Sequence, residues 1–195
     1  MVVTPEHVEL EIRARCEARD YDGALARALE LYGNELFGFL NGLARDRPQA
    51  EDAFSAACER IWKGLAKFRW ESTLRVWTYR IARNEFLRTA RTTARNRNAV
   101  PLSQVSSIQE AVARIRSTTP VYERTEVKRK LAELRIELAP DDHMLLGLRI
   151  DRKLAWVDIA KVLAPSEDEP TARELAALRK RFERLKTRLR EVIRS

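Results

Sequence analysis

Apolar residues recur at three- and four-residue steps along most of this chain, and alternating strand-like patterns are scarce. Val8, Ile12 and Cys16 share one face of an expected helix over residues 6–19. Asp20-Tyr21-Asp22-Gly23 interrupts the pattern, and Asp22 is placed to cap a second helix carrying Leu25, Leu29 and Tyr32. Gly33-Asn34 reads as the stop of that helix. A third, from Glu35 through Leu36, Phe39, Leu40 and Leu43, is expected to close at Arg47-Pro48, because proline disfavours helical backbone in the residue before it. Two longer helices are expected at 49–68 and 73–92. Ile61, Trp62, Leu65 and Phe68 form the apolar stripe of the first, and Leu74, Trp77, Ile81, Phe86 and Leu87 that of the second.

The next stretch, AVPLSQVSSIQEAVARIRSTTPVYE, is bounded by Pro101 and Pro120 and rich in Ser and Thr. It reads as a linker, with room for a brief helix between Ile108 and Arg116. Helical spacing then returns over roughly 126–138, 141–151, 154–163 and 171–193, with Asp141 a candidate cap. In the last of these, Leu175, Leu178, Phe182, Leu185 and Leu189 form one buried stripe, and Arg and Lys fill most of the remainder. The pattern predicts an all-α chain of two small helical domains joined by a flexible linker: an N-terminal helical extension (1–30), a first domain (31–95), a linker (96–125) and a second domain (126–195).

Composition narrows the partners. The chain has 195 residues, 6 glycines and a net charge of +8, which suits a polyanion. Charged residues make up 34% of it, and that figure equally describes a solvated, helix-stabilising surface. No run approaches the ~18 apolar residues of a membrane span. The N-terminal segment lacks a signal-peptide core, so the expected location is the cytoplasm, without membrane insertion. Cys16 and Cys58 are isolated and read as small core residues; His7 and His143 have no ligand cluster around them. Paired catalytic carboxylates, nucleophile–base pairs, a glycine-rich phosphate loop and metal-ligand spacings are all missing from the sequence. Neither an enzyme nor a cofactor is therefore expected.

The segment from Ala50 to Arg91 concentrates the chemistry. It opens acidic, at Glu51-Asp52, and ends basic and aromatic, with Arg75, Arg80, Arg83, Arg88 and Arg91 interleaved with Trp77, Tyr79, Ile81 and Phe86, and with Asn84 as the main uncharged polar group. Such a helix can pack on one face and hold nucleic acid on the other, cations meeting phosphates while aromatics and an amide address bases. The order Ala50-Glu51-Asp52, Ile61-Trp62, Phe68 and Trp77-x-x-x-Ile81-Ala82-x-Asn84 resembles region 2 of bacterial sigma-70 family factors, the promoter-recognition subunits of RNA polymerase, of the small extracytoplasmic-function type. Ser55-Ala56 stands where that family usually has Gln-Glu, and Arg88 where it usually has Asp.

A second resemblance lies downstream. Asp158-Ile159-Ala160 is similar to the Glu-Ile-Ala of sigma region 4, and Leu178-Arg179-Lys180-Arg181-Phe182-Glu183-Arg184-Leu185 to the basic pattern of its recognition helix. The intervening APSEDEPT is longer and more acidic than the short turn usual in a helix-turn-helix. The resemblance implies a sigma factor that binds core RNA polymerase and promoter DNA, with an anti-sigma protein as a common family partner. It implies polymerase contacts at Glu51, Asp52 and Glu59, with Trp62 in the core. For the upstream melted element, called −10, it implies Trp70, Arg80, Arg83, Asn84, Arg88 and Arg91. For the −35 element it implies Arg179, Lys180, Arg181 and Arg184. Trp77 and Tyr79 are ambiguous, with Trp77 favoured as core. Two rival functions stay open: a helix-turn-helix regulator that acts without polymerase, and a helical interaction protein that binds acidic partners rather than DNA.

Overall fold

Three short polar side chains set the first helices. Thr4 accepts from the His7 amide, Asp20 from that of Gly23 and Asp46 from that of Gln49, so each satisfies an amide that the first helical turn leaves unpaired. They begin α1 (Pro5–Glu17), α2 (Tyr21–Leu43) and α3 (Arg47–Leu65). Then follow α4 (Leu74–Arg91), α5 (Ser106–Thr118), α6 (Pro140–Leu146), α7 (Trp156–Leu163) and α8 (Ala172–Arg194). The structure, a computed structural model, describes residues 4–44, 46–91, 106–118, 138–164 and 168–194, and its regular elements there are all helical. The chain divides into two compact units, Met1–Thr119 and Pro120–Ser195.

In the first unit α2 is the central helix, against which α1, α3, α4 and α5 all pack. It differs from expectation in two ways. Its cap is Asp20; the Asp22 carboxylate instead accepts from the Trp62 indole N–H at 2.7 Å, tying α2 to α3. Gly33-Asn34 does not stop it, and the two helices expected over 22–47 are one continuous helix through residue 43. A mid-helix glycine costs about 1 kcal/mol relative to alanine. Here the reason for it is space: a Cβ at Gly33 would lie 2.3 Å from Cδ1 of Ile115 on α5. Pro48 does not lie beyond a helix either. It sits in the first turn of α3, where its missing N–H leaves no bond unmade.

α5 occupies the stretch expected to be a linker with only a brief helix. It buries Ile108, Ala111, Val112 and Ile115, a three- and four-residue spacing that fits the groove left by Gly33. Its C-terminal end is tied to α3, where Arg116 donates to the Glu51 carbonyl at 3.0 Å and to the Ser55 hydroxyl, and Arg47 donates to the Arg116 carbonyl. The central core holds Phe37 tilted against Phe54 and Phe39 edge-on to Tyr79. Cys58 is fully buried, and burial raises its thiol pKa to about 12, as befits a packing residue.

The second unit is smaller. α6 begins at Pro140 without a side-chain cap; Asp141 and Asp142 lie within its first turn, where acidic groups complement the helix dipole. It runs on into a π-helical turn, Gly147–Asp151. Met144, Leu145, Leu146, Leu148, Leu154, Ile159, Val162, Phe182 and Leu185 form the core. α8 starts with a capping box: Thr171 Oγ1 accepts from the Glu174 amide at 3.3 Å and Glu174 accepts from the Thr171 amide at 2.7 Å. Of the acidic insertion, Glu169 accepts from Lys161 of α7 at 2.6 Å. The helix expected over 126–138 lies outside the described residues but for its last position. Among the described residues no helix is long and apolar enough to cross a membrane.

Candidate nucleic-acid interface

The start of α4 is held from elsewhere in the chain. The amides of Leu74 and Arg75 both donate to the Glu9 carboxylate of α1 at 3.2 Å, and that of Val76 donates to Thr73 Oγ1 at 3.3 Å. The first three amides of the helix are thereby satisfied, with a carboxylate at its positive end. Glu9 also accepts from the Tyr32 hydroxyl at 2.8 Å. Burial, and then this bond to a carboxylate, push the Tyr32 phenol pKa well above its ordinary value. The Arg75 side chain pairs with Glu35 of α2, which also accepts from Tyr79, one turn further along α4, at 2.9 Å.

This anchoring sets the phase of α4, and the phase differs from the one expected. Leu74, Val76, Thr78, Tyr79, Ala82 and Phe86 are buried, while Trp77, Ile81 and Leu87 are only partly so. Tyr79 can be a core aromatic because part-buried Glu35 accepts from its hydroxyl. Trp77 is not core in the sense expected. Its ring stacks on Phe68 at a centroid distance of 4.5 Å and an interplanar angle of 21°, and the close approach of α3 requires Gly64, whose Cβ would fall 2.8 Å from the indole. α3 ends at Leu65 rather than near residue 68, so Phe68 belongs to the connecting loop.

Phe68 also contacts Trp70, at 4.7 Å between centroids. Trp70 is part-exposed and has φ of 61°, a left-handed backbone costing a bulky L-residue roughly 1–2 kcal/mol. The guanidinium of Arg13 on α1 lies 5.8 Å from its ring centroid. The loop and α4 thus form a platform of three aromatic rings, Phe68, Trp70 and Trp77. From Trp77 the outward side of α4 continues at helical steps through Arg80, Asn84 and Arg88. Asn84 and Arg88 are exposed, Arg80 and Arg83 part-exposed. Arg83 donates to the Asn84 side-chain oxygen at 3.2 Å, and Arg88 pairs with Glu85 at 2.7 Å. Arg91 is the last residue of α4, and its side chain lies outside the described set.

The three acidic candidates on α3 differ in their freedom. Asp52 is exposed. Glu51 pairs with Arg47 at 2.8 Å, and Glu59 pairs with Lys63. In the second unit, Arg179, Lys180 and Arg184 are exposed on α8, and among the described residues none of the three has an ion-pair partner. Arg181 faces the other way: it is part-buried and bound to Asp142 of α6, which occupies it inside the fold. Glu9 and Arg13 join the site without having been expected there. Their i, i+4 spacing on α1 is visible in the chain, but no local pattern announces that their partners are Leu74, Arg75 and Trp70.

Residues 28–96, which contain the aromatic loop and all of α4, match the family model described as Sigma-70 region 2. Over these residues the helical fold and the site are similar to region 2 of the sigma-70 family, whose members bind RNA polymerase and act in transcription initiation. No curated protein matches the chain.

Proposed function

We propose that the chain is a sigma factor of the extracytoplasmic-function type, a dissociable subunit that binds core RNA polymerase and directs promoter recognition and melting. The observation that carries this is the aromatic platform of Phe68, Trp70 and Trp77 opening onto the Arg80, Asn84 and Arg88 side of α4, within the region 2 match. Melting duplex DNA costs about 1–2 kcal/mol per stacking step. Stacking displaced bases on aromatic rings offsets that cost, and arginines beside the platform meet the backbone. In this reading residues 31–95 capture the −10 element and contact the polymerase clamp through α3, with Asp52 the exposed acidic group available to it. Residues 126–195 present α8 to the major groove of the −35 element. Two weak readers in one chain reinforce each other through effective concentration. The protein works in the cytoplasm with the polymerase, and no reaction chemistry or cofactor is assigned to it.

The direct test is transcription. The purified chain is expected to co-elute with core polymerase and direct initiation at discrete start sites; failure to bind core polymerase at low salt would sink the reading. Trp70→Ala and Asn84→Ala are expected to slow promoter opening while leaving core binding in place. Loss of a stacked base costs ~1–3 kcal/mol. Permanganate reactivity of promoter thymines reports the opening, and wild-type reactivity in both variants would remove Trp70 and Asn84 from the site.

For α8 the expectation divides the basic residues. Alanine at Arg179, Lys180 or Arg184 should weaken upstream promoter binding without lowering the melting temperature. Removing a phosphate-binding side chain weakens all promoters alike and reduces the salt slope by about one; removing a base-reading one relaxes preference at one position by ~1–3 kcal/mol. Arg181→Ala should instead lower stability, because it leaves Asp142 without its guanidinium. Binding assays against a promoter library, paired with thermal melts, separate the two outcomes.

A further inference from the structure

We propose that α1 is a working part of the strand-capture site, with Arg13 as a positioning residue that holds Trp70 ready and Glu9 anchoring α4 beside it. The proposal rests on the reading of loop 66–73 as the place where melted DNA is captured. α1 precedes the segment matched to region 2, which begins at residue 28, so that match gives it no role.

Three observations join α1 to the loop. The Arg13 guanidinium lies within cation–π range of the Trp70 ring, and its Nε donates to Glu17 one turn further along α1 at 3.1 Å, which orients the group. Trp70 holds a left-handed backbone, and a side chain kept in that region depends on its surroundings to stay there. The ring contacts around it are Phe68 and Arg13. Lastly, Glu9, four residues before Arg13 and on the same face of α1, accepts the first two amides of α4. One helical face thus fixes both the platform and the start of the helix beside it. An indole restrained before DNA arrives gives up less freedom when a base stacks on it, so the restraint favours capture without itself touching DNA.

The test uses the full chain bound to core polymerase. The Arg13 side chain is 52% exposed, so Arg13→Gln is expected to fold normally. Melting temperature and core-polymerase affinity should match the wild type, while promoter opening, followed by permanganate reactivity, slows about fivefold. Arg13→Lys, which keeps the cation, should recover much of the rate. In a Trp70→Ala background Arg13→Gln should cause no further loss, because its effect passes through the indole. Opening at the wild-type rate in Arg13→Gln overturns the proposal. So does an undiminished further loss in the Trp70→Ala background, which would make Arg13 a direct DNA contact. The wild-type chain is assayed first: if it fails to bind core polymerase, the sigma-factor reading falls and this proposal with it, whereas wild-type binding with an unaffected Arg13→Gln rejects the role of α1 alone.

Discussion

Phe182→Ala is expected to unfold the second unit, at a cost of about 3–5 kcal/mol. The ring is only 7% exposed. It meets Trp156 edge-on at 5.4 Å and carries the Lys186 ammonium 5.2 Å from its centroid. The unit has three α-helices among the described residues, and Phe182 with Leu185 supplies the buried contacts of the longest one. A small core has little reserve against a cavity of that size. The measurement is a circular-dichroism melt of the full chain, in which part of the helical signal should be lost at a lower temperature. A variant that melts like the wild type would show that α8 is held by its ion pairs, such as Arg181 to Asp142, rather than by its apolar stripe.

Glu35→Ala should cost about 3 kcal/mol in the first unit, because it strips two groups of one acceptor. Arg75 and Tyr79 both donate to this carboxylate. Tyr79 is fully buried, so its hydroxyl cannot turn to water instead. The Glu35 and Arg75 side chains are 22% and 30% exposed, which leaves limited solvent to replace the pair. The expected size distinguishes this site from the surface pairs: Glu17→Ala, which removes a partner of exposed Arg13, should change stability by less than about 1 kcal/mol. Adding Tyr79→Phe to Glu35→Ala should recover part of the loss, since the buried hydroxyl that bonded Glu35 is then gone. Urea titrations of the three variants read the differences directly, and equal midpoints for Glu35→Ala and wild type would refute the network.

The helices and their composition were legible from spacing alone. The stripe of Leu175, Leu178, Phe182, Leu185 and Leu189 marks α8, and the exposure of Arg179, Lys180 and Arg184 follows from its phase. Local signals failed where two helices meet. Gly33 looks like a stop because glycine is a poor helix former, yet its lack of a side chain serves Ile115, which is 82 residues away in sequence. The T-x-x-E box of Thr171 and Glu174 was readable and fixes where α8 begins. The basic pattern of α8 also groups Arg181 with its neighbours, although helical phase turns it toward Asp142.

By itself, then, the sequence determined the all-α class and the basic-aromatic segment of 50–91, because periodicity and charge are local properties of a chain. It also held the order of residues that matches region 2. Only the tertiary structure decided which aromatics are core and which are presented. Tyr79 is buried because Glu35 on α2 supplies an acceptor, and Trp77 lies at the edge because Gly64 on α3 makes room for it there. It likewise brought α1 to the loop and α5 to α2. Those choices depend on hydrogen bonds and contacts between distant segments, which no window along the chain contains.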